Sequence, residues 1–340
     1  MTVTLPAATP SYGSPTHPEP LPATPGGTAR AAGWLGVLAV TAGVVWLGVV
    51  GTTTLVGAGD LTAALTTAQG RTVGPALIVV VAVLFLAERL WPAVPRPALA
   101  RAHLVDAGYL VLFAVVVVPA LTLVETGFAV EVGRHARFLL VGRLSPVPRV
   151  VVVGAILVGI DAMNWVAHVA NHRSVSLWRL HALHHSQEEM SVFTTFRTHP
   201  LVHATYLGAL LPALVLGASG SVPAAALVIY GCLVALPHAN LPWRFGVLGR
   251  VFVSPAYHRL HHACRAIDGR GTVNFGFVLV CWDQLARHAL FPAAGPPIAT
   301  GIVGRPVPIE QGGLDNRALR VFSAQLLQPF RRRTSMEGLS

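Results

Sequence analysis

The chain has 340 residues, of which 53% are hydrophobic and 11% charged, with a formal net charge of +10. Ordinary soluble domains carry about 25% charged residues, so this composition excludes a simple soluble globular protein and predicts an integral membrane protein. The basic excess is arginine alone. In so apolar a chain it reads as topology-setting loop charge and head-group contact, and nothing in the sequence suggests a nucleic-acid module.

In chain order, residues 1–33 are rich in Pro, Thr, Ala and Gly and read as a disordered tail, without the basic n-region of a secretory signal. A bilayer core of about 30 Å needs about 20 helical residues. Six apolar stretches approach that length: 34–57, 72–92, 104–124, 150–167, 201–217 and 222–237. The prediction is an all-α, polytopic fold of about four to six spans, with one membrane-embedded domain over residues 34–291. The last two stretches are short and nearly contiguous, so they read as a tight hairpin returning to one face. Residues 292–340, ending near Arg331, Arg332 and Arg333, read as an extended basic tail. Cys232, Cys264 and Cys281 form no CxxC pair and no disulfide framework.

Nine of the 15 histidines fall into three clusters and one single site: His168 and His172; His181, His184 and His185; His238; and His258, His261 and His262. Helical spacing puts positions i and i+4 on one face, so His168 and His172 can serve one ion. In HxxHH the first and third histidines share a face and the second lies beside them, able to serve the same metal or a second. The hairpin brings the 181–185 and 258–262 clusters to one membrane face, and the end of the fourth stretch puts His168 and His172 there too. Arginines are more numerous on that side, which the positive-inside rule assigns to the cytoplasm, although Arg134, Arg137, Arg143 and Arg149 lie on the other. Eight or nine imidazoles exceed what one tetrahedral zinc can use, so two ions are implied. Imidazole suits Fe, Zn, Cu and Ni, which leaves the metal open.

These residues resemble the fatty acid hydroxylase and sterol desaturase superfamily of membrane di-iron oxygenases. The likeness runs from Glu88-Arg89-Leu90-Trp91-Pro92 through the span of Asp161 to His172, the His181–His185 box, Arg197-Thr198-His199-Pro200, His238-Ala239-Asn240, the His258–His262 box, Asn274-Phe275-Gly276 and Trp282-Asp283. It implies that the nine histidines bind two iron ions, with zinc possible in isolated protein and O2 as co-substrate. It also implies that the reaction is oxidation of a membrane-lipid C–H bond, hydroxylation ahead of desaturation, on a sterol, fatty acyl or carotenoid substrate. Two departures stand out: Val169 follows the first box histidine where the family commonly has Arg, and Trp282-Asp283 continues as Gln284-Leu285-Ala286-Arg287-His288 rather than ending in a Phe-Gly-Thr-like run.

Around the boxes, Asp161 lies two turns before His168 and could accept an N–H from a ligand imidazole. Arg197 and His199 could hydrogen-bond inside the site or meet phosphates. Asn240 and Asn274 read as turn formers, Asp283 as a support or an interfacial anchor, and His17, His103, His135, His203 and His288 as non-ligands. No GxGxxG loop follows a strand, so electrons are expected from a separate ferredoxin- or cytochrome-type protein. Rival readings are a metal transporter and a non-catalytic metal-binding membrane protein. The Lys-free, Ala-, Gly- and Arg-rich composition suggests a bacterial plasma membrane.

Overall fold

A computed structural model describes residues 74–96, 101–118, 120, 135, 147–216, 221–265, 267, 271–303 and 317–330. The expected tail at 1–33 and the stretch at 34–57 lie outside the described residues, as does His17. Among the described residues the fold is helical, with isolated extended bridges that pair Phe252 with Leu279 and Ala263 with Thr300.

Helix α1, Gly74–Leu90, and helix α2, Arg101–Leu112, which continues as a π-helical turn at Phe113–Val117, cover two of the expected apolar stretches. Helix α3, Arg149–Arg173, is the one described helix long and apolar enough to cross a membrane. Pro148 precedes it in extended conformation, and Ser174 ends it at φ −96° and ψ 123°. Ser174 also starts helix α4, Val175–His185, by accepting from Leu177 N. The two helices that carry the first five cluster histidines therefore share a one-residue hinge.

The expected hairpin takes a less regular form. Residues Pro200–Leu210 are a 3-10 helix running into helix α5, Leu211–Val215, and the return limb is helix α6, Ser221–Ala235. Pro200 at the first position and the His199 side chain, which accepts from Leu201 N, set the entry. The segment lies close against α3, where a Cβ at Gly159 would sit 2.7 Å from Pro212 Cβ and Cγ. Two shorter helices follow: α7, Pro255–His261, capped by Ser254 with Pro255 at its first turn, and α8, Cys281–Leu285.

The extended tail expected over 292–340 is corrected in part. Residues 317–327 form helix α9, whose Phe322 ring lies 4.6 Å from that of Tyr109 and whose Gln325 Oε1 accepts from Tyr109 OH at 2.9 Å. Leu319, Phe322 and Leu326 recur at three- and four-residue spacing, the amphipathic signal that the basic run after it obscured. Residues before α9 are also held: Cys264 N donates to Ala299 O and Gly301 N to His262 O.

Candidate metal centre

Four elements deliver the nine histidines. The last two turns of α3 carry His168 and His172, and α4 folds back across the Ser174 hinge with His181, His184 and His185. His238 ends the 3-10 turn that continues α6, and α7 carries His258 and His261 with His262 as its C-cap. All nine are buried, with His172 the most accessible at 9%.

They sort into two groups whose nitrogens lie within 4.8 Å of one another: His168, His172, His181, His185 and His261, and His184, His238, His258 and His262. Each HxxHH box is divided between the groups. In the first box the i and i+4 histidines join the five-membered group and the middle one the four-membered group; in the second box the assignment is reversed. Helical geometry produces this split, because i and i+4 stack while i+3 is rotated by about 60° from i.

Within the five-membered group His181 Nε2 lies 3.1 Å from His168 Nε2 and 3.2 Å from His185 Nε2. In the other group His238 Nε2 lies 3.1 Å from His184 Nε2 and 3.0 Å from His258 Nε2, which is 3.2 Å from His262 Nε2. A neutral imidazole nitrogen offers one proton or one lone pair in its plane, so one Nε2 cannot hydrogen-bond two others that must do the same. A shared cation satisfies all of them. The buried Nε2 atoms of His172 and His261 also have no hydrogen-bond partner, as ligand atoms would require. At a metal–nitrogen distance of about 2.1 Å, right-angled ligands are about 3.0 Å apart and tetrahedral ones about 3.4 Å. The observed spacings sit nearer the right-angled value, and five nitrogens in one group exceed a tetrahedron. The donor set therefore fits two ions, one offered five imidazole nitrogens and the other four.

Several imidazoles are oriented from behind. His168 Nδ1 donates to Phe275 O at 2.8 Å and His261 Nδ1 to Val273 O at 2.8 Å, which leaves each Nε2 lone pair for the centre. Burial pushes His181, His184, His185, His258, His261 and His262 well below the ordinary imidazole range, and neighbouring imidazoles add to the effect. Burial pushes His238 down to about 3. The neutral, ligand-competent form is thus built in.

The carbonyls of Val273 and Phe275 belong to a short strip that two carboxylates hold. Asp283 accepts from Phe275 N, Gly276 N, Trp165 Nε1 and Tyr257 OH at 2.8 to 3.0 Å. A Cβ at Gly276 would come within 2.8 Å of Leu279 O, so only glycine fits there. Asn274, at φ 61°, donates to Tyr257 O and Leu290 O, the turn-forming role expected of it. Asn240 likewise bonds backbone, with Val94 N donating to its Oδ1 and its Nδ2 donating to Val94 O.

Asp161, Arg197 and His199 all make buried or part-buried hydrogen bonds around the centre. Asp161 accepts from Tyr230 OH, Val278 N, Leu279 N and Trp282 Nε1 rather than from an imidazole, because α3 turns that carboxylate toward the strip and not toward α4. Arg197 is fully buried and pairs with Asp106 at 2.9 Å, while also donating to Ser186 Oγ and Leu183 O, so of its two expected roles it takes the hydrogen-bonding one and braces the end of α4. His199 caps the 3-10 helix, and its Nε2 donates to Leu326 O at 3.1 Å, tying down α9.

The described histidines expected to be non-ligands, His103, His135, His203 and His288, fall in neither group. Sequence reasoning missed Asp106 and Trp178. An acid inside an apolar stretch was a signal for the first. Trp178 packs within 5.1 to 6.3 Å of His172, His181 and His185, and nothing in its spacing announced it.

Part of the chain that forms this helical frame and divided histidine centre is similar to known proteins. Residues 153–287 match the family model described as fatty acid hydroxylase. The chain is similar to the ornithine lipid hydroxylase OlsE of Rhizobium tropici, at 34% identity over 179 residues that cover 51% of this chain and 48% of that protein. It is also similar to the alkylglycerol monooxygenase of Caenorhabditis elegans, at 26% identity over 147 residues that cover 37% of this chain and 24% of that protein. The match thus spans about half the length of the first relative and about a quarter of the second. No solved structure matches the chain.

Proposed function

We propose that this protein is a membrane oxygenase that hydroxylates a C–H bond of a lipid, with two iron ions held by the nine clustered histidines. The observation that carries the reading is the five-and-four division of converging imidazole nitrogens, whose five-membered group and near-right-angled spacings suit iron better than a pair of tetrahedral zinc sites. The names of the relatives, a lipid hydroxylase and an alkylglycerol monooxygenase, support a lipid substrate and oxygen insertion.

Bound iron supplies the activation of O2 that an unactivated C–H bond requires. The chain supplies the rest. His168, His172, His181, His185 and His261 would hold one ion, and His184, His238, His258 and His262 the other. The Val273 and Phe275 carbonyls fix two rings, and Asp283 fixes the strip that bears Phe275. Burial of every ligand excludes water, while Trp178 and Phe275 present apolar faces beside His172, the most accessible ligand.

The proposal places α3 across a bilayer, its Val151, Ala155, Val158 and Val166 forming an exposed apolar stripe. The arginine excess on the histidine side supports a cytoplasmic centre. A separate ferredoxin- or cytochrome-type protein would deliver the electrons, and the composition supports a bacterial plasma membrane.

The test combines metal analysis with lipid profiling. Purified protein is expected to hold two irons and to take up O2 when reduced in the presence of lipid. Cells expressing it are expected to accumulate an oxygenated lipid that His261→Ala abolishes. Redox-inert zinc with no turnover after iron reconstitution, together with identical lipid profiles, would overturn the reading.

A further inference from the structure

Large apolar side chains are exposed well outside the expected spans. In residues 243–252 these are Trp243 at 37%, Val247 at 86%, Leu248 at 61%, Val251 at 48% and Phe252 at 42%, and Leu285 on α8 is 78% exposed. They lie on one connected piece of chain. Phe252 bridges Leu279, Val280 N donates to Val251 O at 2.9 Å, and Gln284 Nε2 donates to Arg250 O at 3.2 Å.

That piece is fastened to α3 at a known height. Val278 N, Leu279 N and Trp282 Nε1 all donate to Asp161, and Trp165 Nε1 donates to Asp283. Asp161 lies midway along α3, about 18 Å by helical rise from either end, whereas a hydrocarbon core is about 30 Å thick. Val158, Asp161 and Trp165 stand at i, i+3 and i+7, so the attachment borders the exposed apolar stripe. The stripe continues past it to Val166, 53% exposed. Lipid deep enough to cover Val166 therefore also reaches the level of residues 278–285 and their partners 250–253.

The charged side chains around this surface match a bilayer boundary. Arg244 donates to Gly295 O, and the Arg250 guanidinium stacks on Phe291 at 3.8 Å, so both long side chains lie back against the protein. Neither has a carboxylate within ion-pair distance among the described residues. Arg287, two residues past α8, is exposed. Apolar tips flanked by unpaired arginines suit acyl chains beneath anionic phosphates.

We propose that residues 243–252 with Leu285 form an in-plane membrane anchor, seated in the same leaflet that borders the histidine centre. The inference rests on the reading of α3 as membrane-spanning. It makes the histidine-bearing part of the protein partly sunk into the leaflet rather than perched above it, so a lipid can reach the centre sideways without leaving the bilayer.

The test uses the full chain with Cys232, Cys264 and Cys281 replaced by serine, carrying a polarity-sensitive fluorophore at Val247→Cys, Leu248→Cys or Leu285→Cys. Val158→Cys reports on α3. Each protein is placed in vesicles of phosphatidylcholine and phosphatidylglycerol, and bound metal is measured to show that the fold survives. The expected result is blue-shifted emission at all positions, quenched by brominated acyl chains and resistant to aqueous iodide. Lipid quenching at Val158 with iodide quenching at 247, 248 and 285 overturns the anchor and leaves α3 as a span. Resistance of those three positions to both quenchers shows that another protein surface, such as a second copy, covers them, and also overturns it. Iodide quenching at every position overturns the spanning helix and the anchor together.

Discussion

His184 and His185 are consecutive in α4 yet belong to different groups: His184 Nε2 lies 3.1 Å from His238 Nε2, and His185 Nε2 lies 3.2 Å from His181 Nε2. His261 and His262 repeat the relationship in α7. Metal binding by each pair can therefore be dissected one residue at a time.

His262→Ala leaves three histidines in its group, and His185→Ala leaves four in the other. The expected outcome is that His262→Ala lowers bound metal toward about one ion per chain, while His185→Ala lowers it less, since four imidazoles still suffice for one ion. Elemental analysis of the purified variants decides this, and equal losses would count against the five-and-four division.

Arg197 and Asp106 form a buried ion pair at 2.9 Å, both side chains fully inaccessible. Removing one partner strands a charge, so Arg197→Met or Asp106→Asn is expected to destabilise the protein by about 3 to 5 kcal/mol. The double variant Arg197→Met with Asp106→Leu should recover much of that loss. A double-mutant cycle by thermal unfolding in detergent measures the coupling, and additive losses would show that the pair does not act as a unit.

Asp161→Asn replaces an acceptor of four donors with an amide that can satisfy fewer of them. The expected cost is about 3 kcal/mol, from hydrogen bonds to a charged group and from donors left unpaired. Because Asp161 touches no ligand imidazole, residual folded protein should still bind two metals. A variant of normal stability that has lost metal would instead place Asp161 in the centre.

The buried histidines outside α3 predict an acid-sensitive metal-free protein. Their folded-state values are depressed, so below the ordinary imidazole range near 6.5 the unfolded chain takes up protons that the folded chain refuses. Stability is then present above about pH 6.5 and is lost as pH falls toward the folded values, about 3 for His238. Each such histidine contributes a slope of up to about 1.4 kcal/mol per pH unit in that window. Unfolding of the metal-free protein at pH 7.5 and pH 5.5 checks the sign, and greater stability at the lower pH would contradict it.

The clustering of the nine histidines was legible because helical spacing acts locally: HxxHH at 181–185 and 258–262 fixes which faces the rings share, wherever the rest of the chain lies. The apolar run at 150–167 likewise announced α3, since composition alone carries that signal. What could not be read was long-range pairing. Arg197 meets Asp106 from 91 positions away, and Asp161 meets Trp282 from 121, and neither partner carries a local mark of the other. The 3-10 form of Pro200–Leu210 was hidden for a related reason, because close contact between Gly159 and Pro212 depends on where α3 lies.

Division of each HxxHH box between the groups has a consequence for assembly. A rotation of α4 or α7 that improves the donors to one ion moves the donors to the other, so neither position can be tuned alone. On the proposed two-ion reading, seating one ion would fix the angular setting of both helices and thereby prepay the ordering of the other's ligands. Occupancy of the pair should then be cooperative, with half-loaded chains scarce at intermediate metal concentrations.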